Sequence, residues 1–409
     1  MSPSREALED RRFFPMNDRL SSSLGVLLAL GASCLFSFSC SSGGSNETPS
    51  KGGISIAADY HMVGIKAFAD MTFPVNPDIK AHYWDEGVLT LDGENKFQVR
   101  GAGRPTDSGP YKIGKNGILT LLVPMSGGAS LPLMGGADVE GEALWFTDRH
   151  AGGDGDLALW CCVRSKAKPK PEGKWNVALL TLVFPPKGAA PSPNEVGLAA
   201  TGTLSIDAKG NVTGALQESS LAALKVTGKA DTFPIPPGSF QLSLSWKKGT
   251  RQVNQAFRGG LGDKLMVGLF HDQKRGGAVS LLLALRAPSK AVPAKDLSGS
   301  YHLGTFTLFL DPTRPGCDVA AGTLQLNDKD AFRATMWGHL GKSFTFSGTF
   351  KPGKEGLVEF SETSPVKTPL WGAAAEGGKV LLMVDKTPEA SDPDLSIFLA
   401  VRERDTTSK

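Results

Sequence analysis

The chain has 409 residues, including 49 Gly and 27 Pro, with charged residues at 21%. That length holds two or three domains of ordinary size, and the composition suits many short strands joined by tight turns better than a helical bundle. A formal net charge of +3, without any Lys/Arg block, removes the electrostatic case for a nucleic-acid partner, since such binders concentrate basic residues on one face or stripe.

The N-terminal segment carries Arg5, Arg11, Arg12 and Arg19, then an apolar run from Leu24 to Phe38, then small residues ending at Cys40. This order predicts an export leader over residues 1–39. The run is too short to span a bilayer, which takes roughly 20 apolar residues. The residues that follow, Ser41, Ser42, Gly43, Gly44 and Ser45, have the composition of a pliant spacer, so residues 40–53 read as a tether. The segment Ser37-Phe38-Ser39-Cys40 resembles the lipobox of bacterial lipoproteins, with Ser37 and Phe38 departing from the usual residues and Cys34 as a poorer second candidate. That resemblance implies cleavage before Cys40 and acylation of its sulfur, which places the protein on a membrane through its N-terminal lipid. Met16 is an alternative translation start.

From residue 54 onward the chain repeats itself three times. Each copy opens on an aromatic residue heading an apolar run: Tyr60-His61-Met62-Val63, Trp175-Asn176-Val177-Ala178 and Tyr301-His302-Leu303-Gly304. An alternating strand ending in a turn residue follows, in Gly87-Val88-Leu89-Thr90-Leu91-Asp92, Gly202-Thr203-Leu204-Ser205-Ile206-Asp207 and Gly322-Thr323-Leu324-Gln325-Leu326-Asn327. Paired glycines read as turns (Gly135-Gly136, Gly259-Gly260, Gly377-Gly378) precede further apolar strands, and each copy closes on a strand ending in Arg164, Arg286 or Arg402. Pro-rich linkers, Lys166–Pro171 and Ala287–Pro293, cannot continue a sheet and separate the copies. The predicted units are 54–166, 172–287 and 296–404. We expect an all-β protein of three tandem antiparallel up-and-down barrels. The closing strands are apolar on both faces, so a neighbouring copy or a second sheet must cover them; a six-bladed propeller is the alternative architecture.

Gly173-x-Trp175 together with Arg286 resembles the lipocalin and wider calycin pattern. Gly299-x-Tyr301 with Arg402 substitutes Tyr for Trp, and Ala58-x-Tyr60 with Arg164 also lacks the glycine. The resemblance implies an eight-stranded barrel in which the two side chains pack together at the closed end. A guanidinium on an aromatic face gains about 0.5–2 kcal/mol and can also donate to nearby carbonyls, a structural role rather than a ligand contact.

Chemical candidates are few. His61 and His302 occupy equivalent positions, where the second copy has Asn176, and no histidine pair has metal-ligand spacing. Cys161, Cys162 and Cys317 have neither disulfide-framework nor zinc spacing; as neighbours on a strand, Cys161 and Cys162 point to opposite faces. Gly152-Gly153-Asp154-Gly155-Asp156 reads as a surface turn, and Asp85/Glu86 and Glu140/Glu142 as solvated carboxylates. No nucleophile elbow, phosphate loop or dinucleotide fingerprint is present. The segment His82-Tyr83-Trp84, in the long loop after the first strand, is the candidate binding loop, because an aromatic pair over a barrel mouth suits apolar contact.

The expected protein is therefore a non-catalytic cell-envelope lipoprotein, exported to the outer membrane or cell surface, without cofactor or metal. Its barrels bind a small apolar ligand or a protein partner through divergent loops. The alternatives are a structural or adhesive protein with filled barrels and a hydrolase or isomerase with an unrecognised site. The space inside the barrels separates the first two.

Overall fold

The computed structural model describes residues 56–68, 84–101, 107–125, 128–149, 156–183, 197–218, 223–234, 236–272, 278–310, 316–364, 368–386 and 394–404. The leader, Cys40 and the tether lie outside them. Barrel 1 consists of β1 (Ala58–Phe68), β2 (Trp84–Leu91), β3 (Lys96–Gly101), β4 (Asp107–Ile113), β5 (Ile118–Pro124), β6 (Ser130–Ala137), β7 (Ala143–Asp148) and β8 (Asp156–Arg164). Barrel 2 consists of β9 (Gly173–Val183), β10 (Gly197–Ile206), β11 (Asn211–Glu218), β12 (Leu224–Phe233), β13 (Ser239–Lys248), β14 (Arg251–Leu261), β15 (Leu265–His271) and β16 (Ala278–Arg286). Barrel 3 consists of β17 (Gly299–Phe309), β18 (Gly316–Leu326), β19 (Ala331–Trp337), β20 (Ser343–Pro352), β21 (Leu357–Ser364), β22 (Pro369–Ala374), β23 (Val380–Asp385) and β24 (Asp394–Arg402).

In every barrel each strand pairs antiparallel with its sequence neighbour, and the eighth returns to the first. Three closed up-and-down barrels result, and the propeller is not needed. The closing register is the same three times: Tyr60 faces Arg164, Trp175 faces Arg286 and Tyr301 faces Arg402. Among the described residues no helix is long and apolar enough to cross a membrane. One helical turn, Ala294–Leu297, leads into barrel 3.

Strand alternation sorts side chains into two kinds of core. Inward residues fill each barrel: Tyr60, Phe97, Leu119 and Phe146 in the first, Trp175, Phe240, Phe257 and Leu282 in the second, Phe332, Phe350, Phe360 and Met383 in the third. Outward residues of the first, seventh and eighth strands contribute to one shared core between the barrels, including Val63, Ile65 and Leu159 of barrel 1, Leu180, Val267 and Leu283 of barrel 2, and Phe306, Leu382 and Ile397 of barrel 3. Neighbouring copies thus cover the second apolar face. Adjacent Cys161 and Cys162 divide in the same way, one into the shared core and one into the lumen, and burial pushes both thiols far up from their ordinary value.

The barrels close into a ring. The opening strand β1 lies against β14 and β15, β9 and β10 lie against β23 and β24, and β17 lies against β6 and β7. Each copy therefore presents its opening side to the late strands of the next, a head-to-tail contact that closes after three.

Two of the three glycine pairs read as turns are not turns. Gly135-Gly136 lies inside β6 and Gly259-Gly260 inside β14, and only Gly377-Gly378 sits in a connection. The reason is the neighbouring barrel: a Cβ on Gly136 would stand 2.5 Å from the Cβ of His302, and one on Gly260 would stand 2.1 Å from the Cβ of His61.

Candidate functional site

At the closed end of each barrel, the segment entering the first strand is tied down by its own aromatic and by the closing arginine. The aromatic tip donates to the carbonyl four residues earlier: Tyr60 to Ile56 (3.0 Å), Trp175 to Pro171 (2.8 Å), Tyr301 to Leu297 (2.6 Å). Both tyrosine hydroxyls also lie within bonding distance of a carbonyl between the sixth and seventh strands, Gly141 at 2.9 Å and Gly378 at 2.8 Å. The arginine takes the carbonyls on either side, Arg286 those of Lys170 and Glu172, Arg402 those of Asp296 and Ser298. Its guanidinium carbon lies over the ring, at 4.5 Å from the Trp175 centroid and 5.9 Å from that of Tyr301. In barrel 1 Arg164 reaches the equivalent carbonyl of Ala57 at 3.5 Å. Burial raises the hydroxyl pKa of Tyr60 and Tyr301 and lowers that of the Arg286 guanidinium.

Three further contacts, one per seam, join the barrels. The residue after the opening aromatic points out of its own barrel into the turn before the fifth strand of the next. His61 Nε2 donates to the Pro237 carbonyl (2.6 Å), Asn176 Nδ2 to that of Glu355 (2.7 Å), and His302 Nε2 to that of Asn116 (2.9 Å). In each turn the next residue is a glycine at positive φ, Gly238 at 86°, Gly356 at 76° and Gly117 at 96°, a conformation that costs other residues more. Ion pairs converge beside these contacts. Glu140, between β6 and β7, holds Lys264 (2.7 Å) and Lys379, the ammoniums of the corresponding connections in barrels 2 and 3. Lys166 bridges Glu142 and Asp263, and Lys174 pairs with Glu355 at 2.5 Å.

Towards the other end of each lumen a few polar groups enter. Thr181 bonds Ser280 (2.8 Å) and, in the same place in barrel 3, Thr307 bonds Ser396 (2.8 Å). Barrel 1 has Lys66 at that position, and the buried Asp85 accepts from Trp160 Nε1 at 3.3 Å. A cleft of about 430 Å³ opens between barrels 1 and 2, with His61, Glu86, Phe233 and Arg258 among its lining residues.

No protein-family model matches the chain, and no curated protein does. Solved structures similar to it include a double mutant of the vaccine antigen transferrin binding protein B from Haemophilus parasuis Hp5, at 9% identity over 85% of this chain and 77% of that one, with a TM-score of 0.32. Another is a protein of unknown function of the DUF3598 family from Nostoc punctiforme, at 12% identity over 57% of this chain and 96% of that one, with a TM-score of 0.22. Likenesses this distant carry no argument about the site.

Of the candidate binding loop, His82 and Tyr83 lie outside the described residues and Trp84 is the first residue of β2. Asp85 points into barrel 1, while Glu140 and Glu142 are paired with seam lysines, Glu140 remaining exposed to solvent and Glu142 partly so. Gly152–Gly155 lie outside the described residues, among which no group of three or more His, Cys, Asp or Glu could hold a metal. Sequence reasoning missed the turns that receive His61, Asn176 and His302. Their signal is present, a glycine heading the fifth strand in each copy (Gly117-Ile118-Leu119, Gly238-Ser239-Phe240, Gly356-Leu357-Val358), but nothing local says that the carbonyl before it serves another barrel.

Proposed function

We propose that the chain is an exported cell-envelope protein, anchored by lipid on Cys40, that serves as a rigid three-barrel platform and meets a protein partner through its mouth loops. Residues 1–39 act as leader and 40–53 as tether, and the units 54–166, 172–287 and 296–404 form the platform. The filling of the lumens carries this reading: Tyr60, Phe97, Trp175, Phe257, Tyr301 and Phe360 expose no more than 2% of their surface, which leaves no room for water, still less for an apolar ligand, beside them. This close packing supports the filled-barrel form of the expectation over the small-ligand form. The pairs Tyr60/Arg164, Trp175/Arg286 and Tyr301/Arg402 act in this reading as barrel closures.

Catalysis has no part in it, because the titratable groups singled out (His61, His302, Asp85, Glu140, Glu142) are spent on seam and lumen contacts at separate places. Side chains that face solvent at the mouth ends include Met125, Trp337 and Leu340, exposed by 48%, 42% and 54%, which suits contact with another protein.

The test is palmitate labelling in a bacterial host with native mass spectrometry of the purified protein. Wild type is expected to take up label and sediment with membranes, Cys40→Ala to do neither, and the folded mass to equal chain plus anchor. Label on Cys40→Ala refutes the anchor, and a co-purifying small molecule refutes the filled platform.

A further inference from the structure

The three seams are alike in geometry and unlike in chemistry. Barrel 1 takes part in two of them, and both are sealed by histidine: His61 reaching into barrel 2 and His302 reaching from barrel 3 into barrel 1. The seam that excludes barrel 1 is sealed by Asn176, an amide that does not titrate. The two imidazoles are 4% and 3% exposed and are pressed against the backbones of β14 and β6 at Gly260 and Gly136. Each donates Nε2–H to a carbonyl, an arrangement the neutral ring completes by itself. A second proton adds a charge to a site that has little water to solvate it.

We propose that the ring opens under mild acid around barrel 1 alone: both histidine seams part, and barrel 1 leaves a barrel 2–barrel 3 pair that stays joined. The inference stands independently of the envelope reading.

The charges facing each histidine decide the sign. Around His61 stand Asp59 on its own strand, and Glu86 on β2 and Arg258 on β14, which line the adjoining cleft; His271 on β15 interacts with that Glu86 and Arg258. Lys166, beyond β8, is already held by Glu142 and Asp263. Around His302 stand Glu403, with Oε1 at 3.4 Å from Nδ1, and Arg404, whose backbone N–H shares the Asn116 carbonyl; Gly136 and Trp145 face it from barrel 1. Burial outweighs the carboxylates in both cases, so each histidine titrates below its ordinary 6.5 while the ring is closed. The open form then binds more protons. Seam stability is full above about pH 6.5 and falls as the pH drops through and below that value.

Glu140, the carboxylate that ties barrel 1 to both neighbours, is held below its ordinary 4.5 by Lys264 and Lys379 and stays ionised across this window. Asp138, in the same connection, acts in the opposite sense. Its carboxyl is buried and pushed up to about 6, so acid favours its folded turn, and the event must be read on the seam and not on overall stability.

The experiment uses the full chain with a protease site inserted between the exposed Ala167 and Lys168 of the first linker, cut after folding and analysed by sedimentation velocity at pH 7.5 and pH 5. One species is expected at pH 7.5 and two at pH 5, barrel 1 and the barrel 2–barrel 3 pair. His61→Asn with His302→Asn, which copies the residue of the second repeat, is expected to keep one species at both pH values. Asn176→His, with the cut moved to the Ala287–Pro293 linker, is expected to make the remaining seam acid-labile. A cut chain that stays whole at pH 5, separates equally at pH 7.5, or still separates at pH 5 in the double asparagine variant overturns the proposal, as does an Asn176→His seam that resists acid.

Discussion

At the residue scale, the protein reuses one small device. An aromatic tip and an arginine hold three consecutive carbonyls of the entering segment, and in barrel 2 this demands a residue that leaves room for the guanidinium. Gly173 has φ of 125°, and a Cβ there would stand 2.7 Å from Arg286 Nη1. Backbone strain and collision therefore act together. Gly173→Ala is expected to lower unfolding free energy by about 1–3 kcal/mol, measured by chemical denaturation. Gly93→Ala, where a Cβ meets nothing within 4 Å, is the control expected to change little. Equal effects at both positions would remove the clamp from the explanation. Barrel 1, with Ala58 at this position, shows what the device looks like when it is relaxed: Arg164 makes only a long contact, 3.5 Å, to the Ala57 carbonyl.

At the scale of the element, the first, seventh and eighth strands of each barrel stand apart because both their faces are buried over most of their length. In β1, Tyr60 and Met62 belong to the lumen while Val63, Ile65 and Ala67 belong to the shared core. The strands on the far side of each barrel alternate between buried and exposed, as in β13, where Phe240, Leu242, Leu244 and Trp246 are buried between partly exposed neighbours. The strand glycines belong to this scale, because they set how closely two sheets approach. Gly260→Ala places a carbon 2.1 Å from the His61 Cβ, an atom fixed to its own backbone, so the sheets must separate. A loss of about 1–3 kcal/mol is expected, together with faster proteolysis at the Lys166–Pro171 linker. Unchanged proteolysis would mean that β1 and β14 do not depend on that close approach.

For the whole molecule, the consequence is that three barrels share a core none of them owns. Leu283 of β16 lies in it with side chains from barrels 1 and 3. Leu283→Ala is expected to cost about 2–5 kcal/mol and to weaken all three barrels, so that hydrogen exchange by mass spectrometry finds reduced protection in peptides of each. A loss confined to barrel 2 would show three independent domains on a string.

The amino-acid sequence alone determined the class and the count. Strand periodicity, the linkers and the threefold recurrence of an aromatic and an arginine are local patterns, and Tyr60, Trp175 and Tyr301 could be matched to Arg164, Arg286 and Arg402 because every copy keeps them at a similar separation. Barrel against propeller was open, because both use short strands with apolar closing segments; pairing of β1 with β8 decided it. Two apolar faces on Leu157–Arg164 announced that a cover was needed without saying which. Only the tertiary structure showed that the copies cover one another in a ring, that Gly136 and Gly260 are seats for a neighbour's histidine, and that His61, Asn176 and His302 are seam contacts. Those residues meet carbonyls 176, 179 and 186 positions away. A hydrogen bond to a backbone oxygen places almost no demand on the identity of the residue that supplies it, so it leaves no mark there for sequence reading to find.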